Sequence, residues 1–286
     1  MDGTSKSRFG IRIVVALPCE AAPLLSRFDL EPASGDHPYR VYHDQSELHW
    51  LIVTGVGRHA AGIATAYLAG LSCSTKAIAW LNLRVAGHAT IPLGEARAAH
   101  KITDTALGTA YYPPVIFEGL KTEALVTVTE PQKAISAKML VDMEASGFYA
   151  SAANFASPEL VHCIKIVSDH GVEAGERFSK TAVTLHIEKQ LGAICDAAEQ
   201  LLDLSNTFAT RWADPAYLDT ILAEYHFSPG QKQQLRQLLQ RWQVLLEDQD
   251  VVDYVWKHAA TGSEVIDCLT QRLSQVPFTL PDSPRH

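Results

Sequence analysis

The sequence lacks an excess of positive charge and lacks long apolar runs. Its 286 residues include 24 lysines and arginines against 32 aspartates and glutamates, a formal net charge of −8 at pH 7. This balance supplies no basic field for a phosphate backbone, so we expect no nucleic acid partner. No window approaches 18 uninterrupted apolar residues, so we expect no membrane partner either.

Cysteine is scarce as well. The five cysteines are odd in number, widely spaced and mostly embedded in apolar runs; they are Cys19, Cys73, Cys163, Cys195 and Cys268. This pattern indicates reduced core thiols rather than a disulfide framework. The first ten residues contain no apolar signal region. We therefore expect a cytoplasmic protein whose main partner is a small molecule.

The content of the sequence is that of an ordinary globular protein, with 47% hydrophobic and 20% charged residues. The chain is organised around residues 142–169. There a predicted helix, opened by Asp142 and Glu144, precedes a β-branched run from Val161 to Val167 that is typical of a central parallel strand. The run ends at Ser168-Asp169. Ligands in open α/β sheets collect at the carboxyl ends of strands, so Asp169 is a candidate functional carboxylate.

A second carboxylate follows the first predicted strand. Residues 11–17 form a continuous apolar strand, Pro18 ends it, and a helical pattern begins around Glu20. Glu20 therefore lies at the mouth of a strand-to-helix turn. There it either complements the helix dipole or acts on a ligand, and position alone leaves both interpretations open.

Three further polar features accompany predicted strands. Gly55-Val56-Gly57, before a predicted helix at Arg58, is either an anion-binding turn or a tight turn only. Lys165 lies within the apolar strand and needs a carboxylate partner, for which Glu20 is the candidate, unless its ammonium reaches the strand end. The spacing of His88 and His100 matches no usual metal-ligand pattern, so we expect no metal.

Four segments in order give a family resemblance. The pattern MEAxGxxxxAxxF at 143–155, followed by the strand that ends in VSD at 167–169, resembles the signature of nucleoside phosphorylases and nucleosidases. Segments 12–25, 51–68 and 80–104 fall in the matching order. The chain looks closest to the methylthioadenosine/S-adenosylhomocysteine nucleosidases over most of residues 10–200, and the last 80 or so residues lie outside the resemblance.

The resemblance implies a fold and an arrangement of domains. The fold is α/β, a three-layer phosphorylase-like fold with a central mixed β-sheet flanked by helices. It would occupy residues 1–205, and a C-terminal α-helical extension would occupy 206–286. In that extension, residues 206–214 form a predicted polar joint, and four helices follow between residues 215 and 276. The stripe of Leu235, Leu238, Leu239 and Trp242 would pack on other tail helices, on the main domain or on a partner.

The resemblance also implies roles for particular residues. Asp169 would protonate or hydrogen-bond N7 of adenine, and Glu20 would activate the attacking water. Glu144 would bind the ribose hydroxyls, Met143 would pack beneath the sugar, and the backbone of Ala86 and Gly87 would face the base. Further substrate-binding candidates are Asp142, Ser168, Arg84 and Lys165. No cofactor is required, and such nucleosidases are usually homodimers.

Two departures from the family pattern bear on the reaction. Phosphorylases have a phosphate-binding arginine where this chain has Glu20, and a phosphate-binding serine where it has Val85, so the sequence favours hydrolysis. Arg84 replaces what is usually glycine. It either contacts an anionic substituent of the substrate, pairs with Glu20, Asp142 or Glu144 and so quenches a catalytic carboxylate, or turns out to solvent.

The sequence thus predicts an enzyme that hydrolyses the N-glycosidic bond of an adenine nucleoside and releases adenine. Methylthioadenosine, S-adenosylhomocysteine and 5'-deoxyadenosine are the substrate types that the resemblance implies. Two alternatives remain. One is a phosphate-dependent purine nucleoside phosphorylase, and the other is a nucleoside-binding or protein-interaction module without turnover.

Overall fold

The computed structural model describes residues 10–72, 77–131, 138–171, 179–212, 214–246 and 248–276. Contacts divide the chain into two compact units, Met1–Arg211 and Trp212–His286. This division lies slightly further along the chain than the predicted limits of 1–205 and 206–286. The predicted polar joint at 206–214 is wrong for most of its length, because residues 206–212 continue a helix that still buries Ala209.

The first unit contains all ten strands of the described chain, joined in one mixed sheet. The strands are β1 (Ile11–Val15), β2 (Glu31–Pro32), β3 (Arg40–His43), β4 (Trp50–Val53), β5 (Ala79–Gly87), β6 (Ala96–Asp104), β7 (Ala110–Tyr111), β8 (Thr122–Thr127), β9 (Leu140–Asp142) and β10 (Val161–Asp169). Strand β5 continues through residues 84–87 because they pair with β10.

In the described part of the first unit, five α-helices accompany this sheet. They are α1 (Pro18–Arg27), α2 (Arg58–Leu71), α3 (Ala145–Ala152), α4 (Lys180–Lys189) and α5 (Leu191–Trp212). Gln190 separates α4 from α5, and its side-chain amide donates to the Gly94 carbonyl at 2.7 Å.

The sheet closes on itself at one end and is open at the other. Strands follow the order β10-β6-β8-β9-β5, and β5 also pairs with β10, so these five strands form a closed barrel. From β5 the sheet extends through β1, β4, β3 and β2. Parallel pairing joins β4, β1, β5 and β10, and therefore the carboxyl ends of these strands lie at one edge.

Alternating side chains give the sheet two buried faces, as strand geometry requires. On β10, Cys163 and Val167 belong to a core shared with α2 and α3. Ile164 and Ile166, on the other face, pack in a core shared with α1, α4 and α5. The three-layer α/β architecture that the sequence predicted is thereby confirmed.

The second unit is helical. Its helices are α6 (Leu218–Glu224), α7 (Pro229–Leu245), α8 (Val251–His258) and α9 (Gly262–Ser274). Ser228 caps α7 in a reciprocal arrangement with Gln231, as the serine-proline start indicated. The predicted stripe on α7 packs into this unit's own core, where Trp242 is 2% exposed. Among the described residues, none of the helices combines the length and apolar character that a membrane crossing requires.

Helices α2 and α3 cross so closely that their backbones are in contact. A Cβ atom on Gly147 would lie 1.9 Å from the carbonyl oxygen of Arg58, and a Cβ on Gly62 would lie 3.2 Å from the carbonyl oxygen of Gly147. No side chain fits between the two helices at this point. The crossing therefore positions Glu144, directly before α3, against the start of α2.

We expect Gly147→Ala to lower the free energy of unfolding by about 1–3 kcal/mol, because the methyl group forces the two helices apart. Denaturant unfolding measures this. Gly70→Ala in α2 is the matched control, since a Cβ there meets nothing within 4 Å; it should be neutral or stabilising by about 0.5–1 kcal/mol. Equal unfolding midpoints for the two variants would refute the close crossing.

Candidate active site

A cavity of about 430 Å³ opens at the carboxyl ends of β5 and β10. Its size lies within the usual range for a small-molecule site. The predicted site residues that line it are Arg84, Ala86, Gly87, Asp142, Met143, Glu144, Ser168 and Asp169. Two predicted residues, Glu20 and Lys165, lie behind this wall and are fully buried.

Glu20 occupies the split between β1 and β5. The strands pair only as far as Val14 and Asn82, and beyond that point the Glu20 carboxylate takes the place of strand pairing. It accepts hydrogen bonds from the backbone amides of Ala16 and Leu17 at 2.8 and 2.9 Å and from that of Val85 at 3.2 Å. Oε2 is thus occupied by two amides just before α1, and Oε1 is occupied by an amide of β5.

Arg84 covers Glu20 on the side of the cavity. Its Nε donates to Glu20 Oε1 at 3.3 Å, and its Nη1 forms an ion pair with the carboxylate of Glu144. Burial alone would lower the pKa of Arg84, but the Glu20 and Glu144 carboxylates raise the pKa above its ordinary value, so the guanidinium stays charged. Of the three predicted placements, the exposed arginine is wrong, since Arg84 is 4% exposed. The pairing with Glu20 and Glu144 is confirmed.

Glu144 joins the cavity to the start of α2. Its Oε1 accepts from the Gly57 amide at 2.6 Å, and its Oε2 accepts from the Met143 amide at 3.1 Å. Gly55 and Gly57 both have positive φ angles, of 84° and 107°. The Gly55 amide donates to the Ala16 carbonyl at 3.0 Å, and the Gly57 amide is the one directed at the carboxylate. The glycine turn that the sequence left open therefore binds an anion, and that anion is the protein's own carboxylate.

Lys165 and Asp142 form a second buried ion pair. Lys165 Nζ lies 2.8 Å from Asp142 Oδ2 and donates to Asn82 Oδ1 at 2.6 Å. The prediction that Lys165 needs a carboxylate is confirmed, but Glu20 as that partner is wrong. Lys165 is opposite Arg84 in the register of β10 and β5, so the two cations share one face of the sheet, and Glu20 pairs with Arg84 instead.

Asp142 is held from several directions. Thr127 Oγ1 donates to its Oδ1 at 2.8 Å, and the Ala145 amide donates to its Oδ2 at 2.9 Å. These bonds fix the turn from β9 into α3. Met143 and Glu144 therefore enter the cavity from a rigid segment.

Asp169 differs from the other carboxylates of the cavity wall. Ser168 Oγ donates to its Oδ2 at 2.9 Å, and the Gly171 amide donates to its Oδ1 at 3.0 Å. The pairing of β10 with β5 shifts register just before it, which turns the end of the strand. Among the described residues that line the cavity, Asp169 is the carboxylate that has no cation beside it. It is therefore placed to act on a ligand.

The formal charge of the cluster is negative. Arg84 and Lys165 are two cations, and Glu20, Asp142 and Glu144 are three carboxylates, which leaves one net negative charge before Asp169 is counted. An anionic ligand would meet this charge in a buried site. A neutral ligand, or one that develops positive charge, is better suited.

Sequence reasoning missed two polar residues of the cavity, Ser179, which caps α4, and His186 on α4. A lone histidine on a helix matched no motif, and only the packing of α4 on the sheet places it here. The rest of the missed lining is largely apolar and includes Leu17, Val56, Val128 and Val141.

Three other polar or aromatic side chains of the first unit, His88, Tyr111 and Phe117, are not part of the cavity lining. His88 Nδ1 accepts from the amides of Thr90 and Ile91, so it orders the turn after β5. Tyr111 packs on Tyr149 with ring centroids 5.1 Å apart, and Phe117 packs on His162 at 4.9 Å. In the part of the chain that the structure describes, no three His, Cys, Asp or Glu side chains form a metal-binding group.

We expect Lys165→Met to lower the free energy of unfolding by about 3–5 kcal/mol, because Asp142 is left as an unpaired buried charge. Adding Asp142→Asn should recover part of this loss. The exposed Lys121→Met is the control and should change stability by less than about 0.5 kcal/mol. Denaturant unfolding of all the variants measures the effect, and a Lys165→Met loss no larger than that of the control contradicts it.

Comparison with protein-family models and with curated proteins finds no match for this chain. Solved structures do match. A 5'-methylthioadenosine/S-adenosylhomocysteine nucleosidase from Colwellia psychrerythraea 34H, in complex with adenine, has a TM-score of 0.53 and 17% identity, covering 68% of this chain and 96% of that chain. Futalosine hydrolase of Helicobacter pylori strain 26695 has a TM-score of 0.52 and 12% identity, covering 68% and 97%.

A third match is the 5'-methylthioadenosine nucleosidase of Arabidopsis thaliana in its apo form. Its TM-score is 0.51 at 15% identity, and it covers 69% of this chain and 96% of that chain. Nearly the whole of each matched chain corresponds to about two thirds of this one. At identities this low, the similarity shows a shared fold and nothing further. The chain therefore has the nucleoside phosphorylase/nucleosidase-like fold that its sequence predicted, and it carries helices in addition.

Proposed function

We propose that the cavity binds a purine nucleoside and that the chain hydrolyses its N-glycosidic bond. The observation that carries this proposal is the placement of Asp169, a carboxylate without a cation, at the carboxyl end of β10 in the same cavity as Met143 and Glu144. The fold supports it as well, because the matched structures are nucleosidases and a hydrolase acting on futalosine.

The reaction needs an acid at the base and an activated water at the sugar. As C1'–N9 breaks, its electron pair moves to the purine, and the ribosyl carbon becomes positive. Asp169 protonates or hydrogen-bonds N7 of the departing base. Water adds to C1' and gives its proton to Glu20, while Glu144 binds the ribose hydroxyls. The products are the free base and the sugar.

The electrostatics of the site favour water over phosphate as nucleophile. The buried cluster has a net negative charge, and the backbone amide of Val85 is occupied by Glu20. Arg84, the cation that faces the cavity, is already shared between two carboxylates. A phosphate dianion would therefore meet repulsion and would compete with these carboxylates for the Arg84 guanidinium and the Val85 amide.

The proposed base is adenine, which is the ligand of the Colwellia nucleosidase. The apolar wall of Leu17, Val56, Val128 and Val141 suits an uncharged 5' substituent such as methylthio. We therefore propose methylthioadenosine or 5'-deoxyadenosine as better substrates than S-adenosylhomocysteine. The homodimer implied by the resemblance stays a prediction, which the molar mass in solution tests.

A second candidate function is nucleoside binding without turnover. Its support is Arg84, which holds both the proposed base Glu20 and the proposed ribose ligand Glu144. Hydrolysis requires the guanidinium to leave Glu20 so that water reaches the carboxylate. A protein in which Arg84 stays in place would bind the nucleoside and release nothing.

We expect Asp169→Asn to lower the rate of adenine release from methylthioadenosine by about 100- to 10,000-fold, because an amide cannot give a proton to the base. Chromatography of the free base, without phosphate in the buffer, measures this. Ser168→Ala, which removes only the hydroxyl that donates to Asp169, is the control and should lose much less. A near wild-type rate for Asp169→Asn would show that another group is the acid.

We expect Arg84→Gly to raise the rate of base release, because the variant no longer has to displace the guanidinium from Glu20. If the open arrangement is populated at about 0.1–10%, the gain is about 10- to 1000-fold. Methylthioadenosine and S-adenosylhomocysteine should be compared, with circular dichroism as a check on folding.

The outcomes separate the roles of Arg84. A gain for both substrates supports blocking by Arg84, whereas a loss confined to S-adenosylhomocysteine shows that Arg84 binds its carboxylate. Unchanged kinetics refute both roles. No base release from the wild type or from Arg84→Gly, combined with measurable nucleoside binding, supports the second candidate function.

A further inference from the structure

We propose that His186 donates a hydrogen bond from Nε2 to the departing purine and so helps to determine which bases leave. This inference rests on the proposed function, since it adds a residue to the same cavity. It concerns a side chain to which neither the sequence nor the family resemblance assigns a role.

Helix α4 places the His186 ring against the backbone of Gly94. Gly94 has a φ of 80°, and a Cβ there would lie 2.7 Å from His186 Nδ1. The imidazole therefore packs directly on the Gly94 backbone. Gly94 is itself held at the end of β10, because its amide donates to the Val167 carbonyl at 2.7 Å. Val167 is two residues before Asp169, so His186 lies toward the Asp169 side of the cavity.

The His186 ring also has unused hydrogen-bonding capacity. Its buried Nδ1 faces the Gly94 backbone and has no hydrogen-bond partner in the described part of the chain. Nε2 makes no hydrogen bond to a described residue, and His186 lines the cavity, so Nε2 is the nitrogen left for a ligand. A ligand or water at Nε2 would supply the partner that the described protein groups do not.

The tautomer of the His186 ring decides whether Nε2 donates or accepts the hydrogen bond to the ligand. A buried N–H without an acceptor is rarer in proteins than a buried acceptor that lacks a donor. The arrangement therefore favours the tautomer in which Nδ1 carries the lone pair and Nε2 carries the proton. Burial, and then the neighbouring Lys189, lower the pKa of His186, so the ring is neutral near pH 7 and offers a single N–H at Nε2.

This donor suits the chemistry of the leaving group. When C1'–N9 breaks, the bonding electron pair stays on the purine, and its ring nitrogens become stronger acceptors. A fixed N–H bond to one of them strengthens as this negative charge develops, so it stabilises the transition state more than the ground state. The proton that the base finally takes comes from Asp169, and His186 keeps its own.

The test compares two variants of His186 with a control on the same helix. His186→Leu removes the donor at similar volume, and His186→Gln restores an N–H donor. Leu185→Ala is the control, because Leu185 is 49% exposed and is not part of the cavity wall. Each protein is assayed with methylthioadenosine and with p-nitrophenyl riboside, whose leaving group needs no proton and little stabilisation.

We expect His186→Leu to lower kcat for methylthioadenosine by about 100-fold or more, with a small change in KM, as for loss of a preorganised donor. The loss with p-nitrophenyl riboside should be much smaller, and His186→Gln should recover part of the activity. A general structural defect would instead lower kcat equally for the two substrates. Equal losses of activity with the two substrates, or a His186→Leu variant as active as Leu185→Ala, would overturn the role of His186. Neither result would contradict the proposed hydrolysis.

A binding experiment keeps this inference separate from the proposed function. Adenine is titrated into the wild type and into His186→Leu, and the ring nitrogens of His186 are followed by ¹⁵N NMR. A shift of Nε2 on binding, and weaker adenine binding by His186→Leu, support the contact even if no nucleoside is cleaved. Unchanged Nε2 resonance and equal affinity overturn it, whatever the wild-type activity.

Discussion

The carboxylate of Glu20 is the group on which the geometry of the site depends. On this side, strand β5 pairs with β1 as far as Asn82 and with β9 only at Gly87. The β5 backbone between these two residues therefore has no strand partner on that side. Glu20 fills this interval, binding the amides of Ala16, Leu17 and Val85. One side chain thus replaces a stretch of strand pairing and starts α1. The same carboxylate attracts Arg84, and from that pairing the charge arrangement of the cavity follows.

The buried charges form two ion-paired groups, Arg84 with Glu20 and Glu144, and Lys165 with Asp142. Arg84 on β5 and Lys165 on β10 are opposite each other in the parallel register and take carboxylates from different directions. Breaking either pair would leave a charge in a dry interior, which costs more than the pair contributes by its attraction. These pairs specify how β5, β9, β10 and α3 meet, and the cavity is the space that they leave. Asp169 lies outside both pairs, which is why its carboxylate remains available to a ligand.

Much of this was accessible from the sequence, because it depends on local patterns. The run from Val161 to Asp169 was predicted as a buried strand, and hydrophobic periodicity also located the helices of the second unit. The placement of Ala86, Gly87, Met143 and Glu144 around a cavity followed from motif order. The motif does not report partners, and so the sequence named Glu20 for Lys165 when the fold supplies Asp142. Which of several carboxylates faces a cation is decided by strand register and by competition with Arg84. For the same reason His186 was missed: its place in the cavity wall comes from the packing of α4.

The contact between Glu144 and the Gly57 amide has a consequence for affinity. The Gly57 amide occupies an oxygen of the carboxylate that is proposed to receive the ribose hydroxyls, so the amide and the hydroxyls would compete for that oxygen. A sugar that draws Glu144 away releases a donor at the first turn of α2, and the free energy of binding is reduced by the hydrogen bond that is lost. Thermodynamic linkage makes this effect reciprocal. An interaction that holds the start of α2 in place would lower the affinity for the sugar, and bound sugar would loosen the start of α2. The outer face of α2 carries Ile63, which is exposed. The helix that a bound sugar would loosen is therefore one that solvent and other molecules can reach.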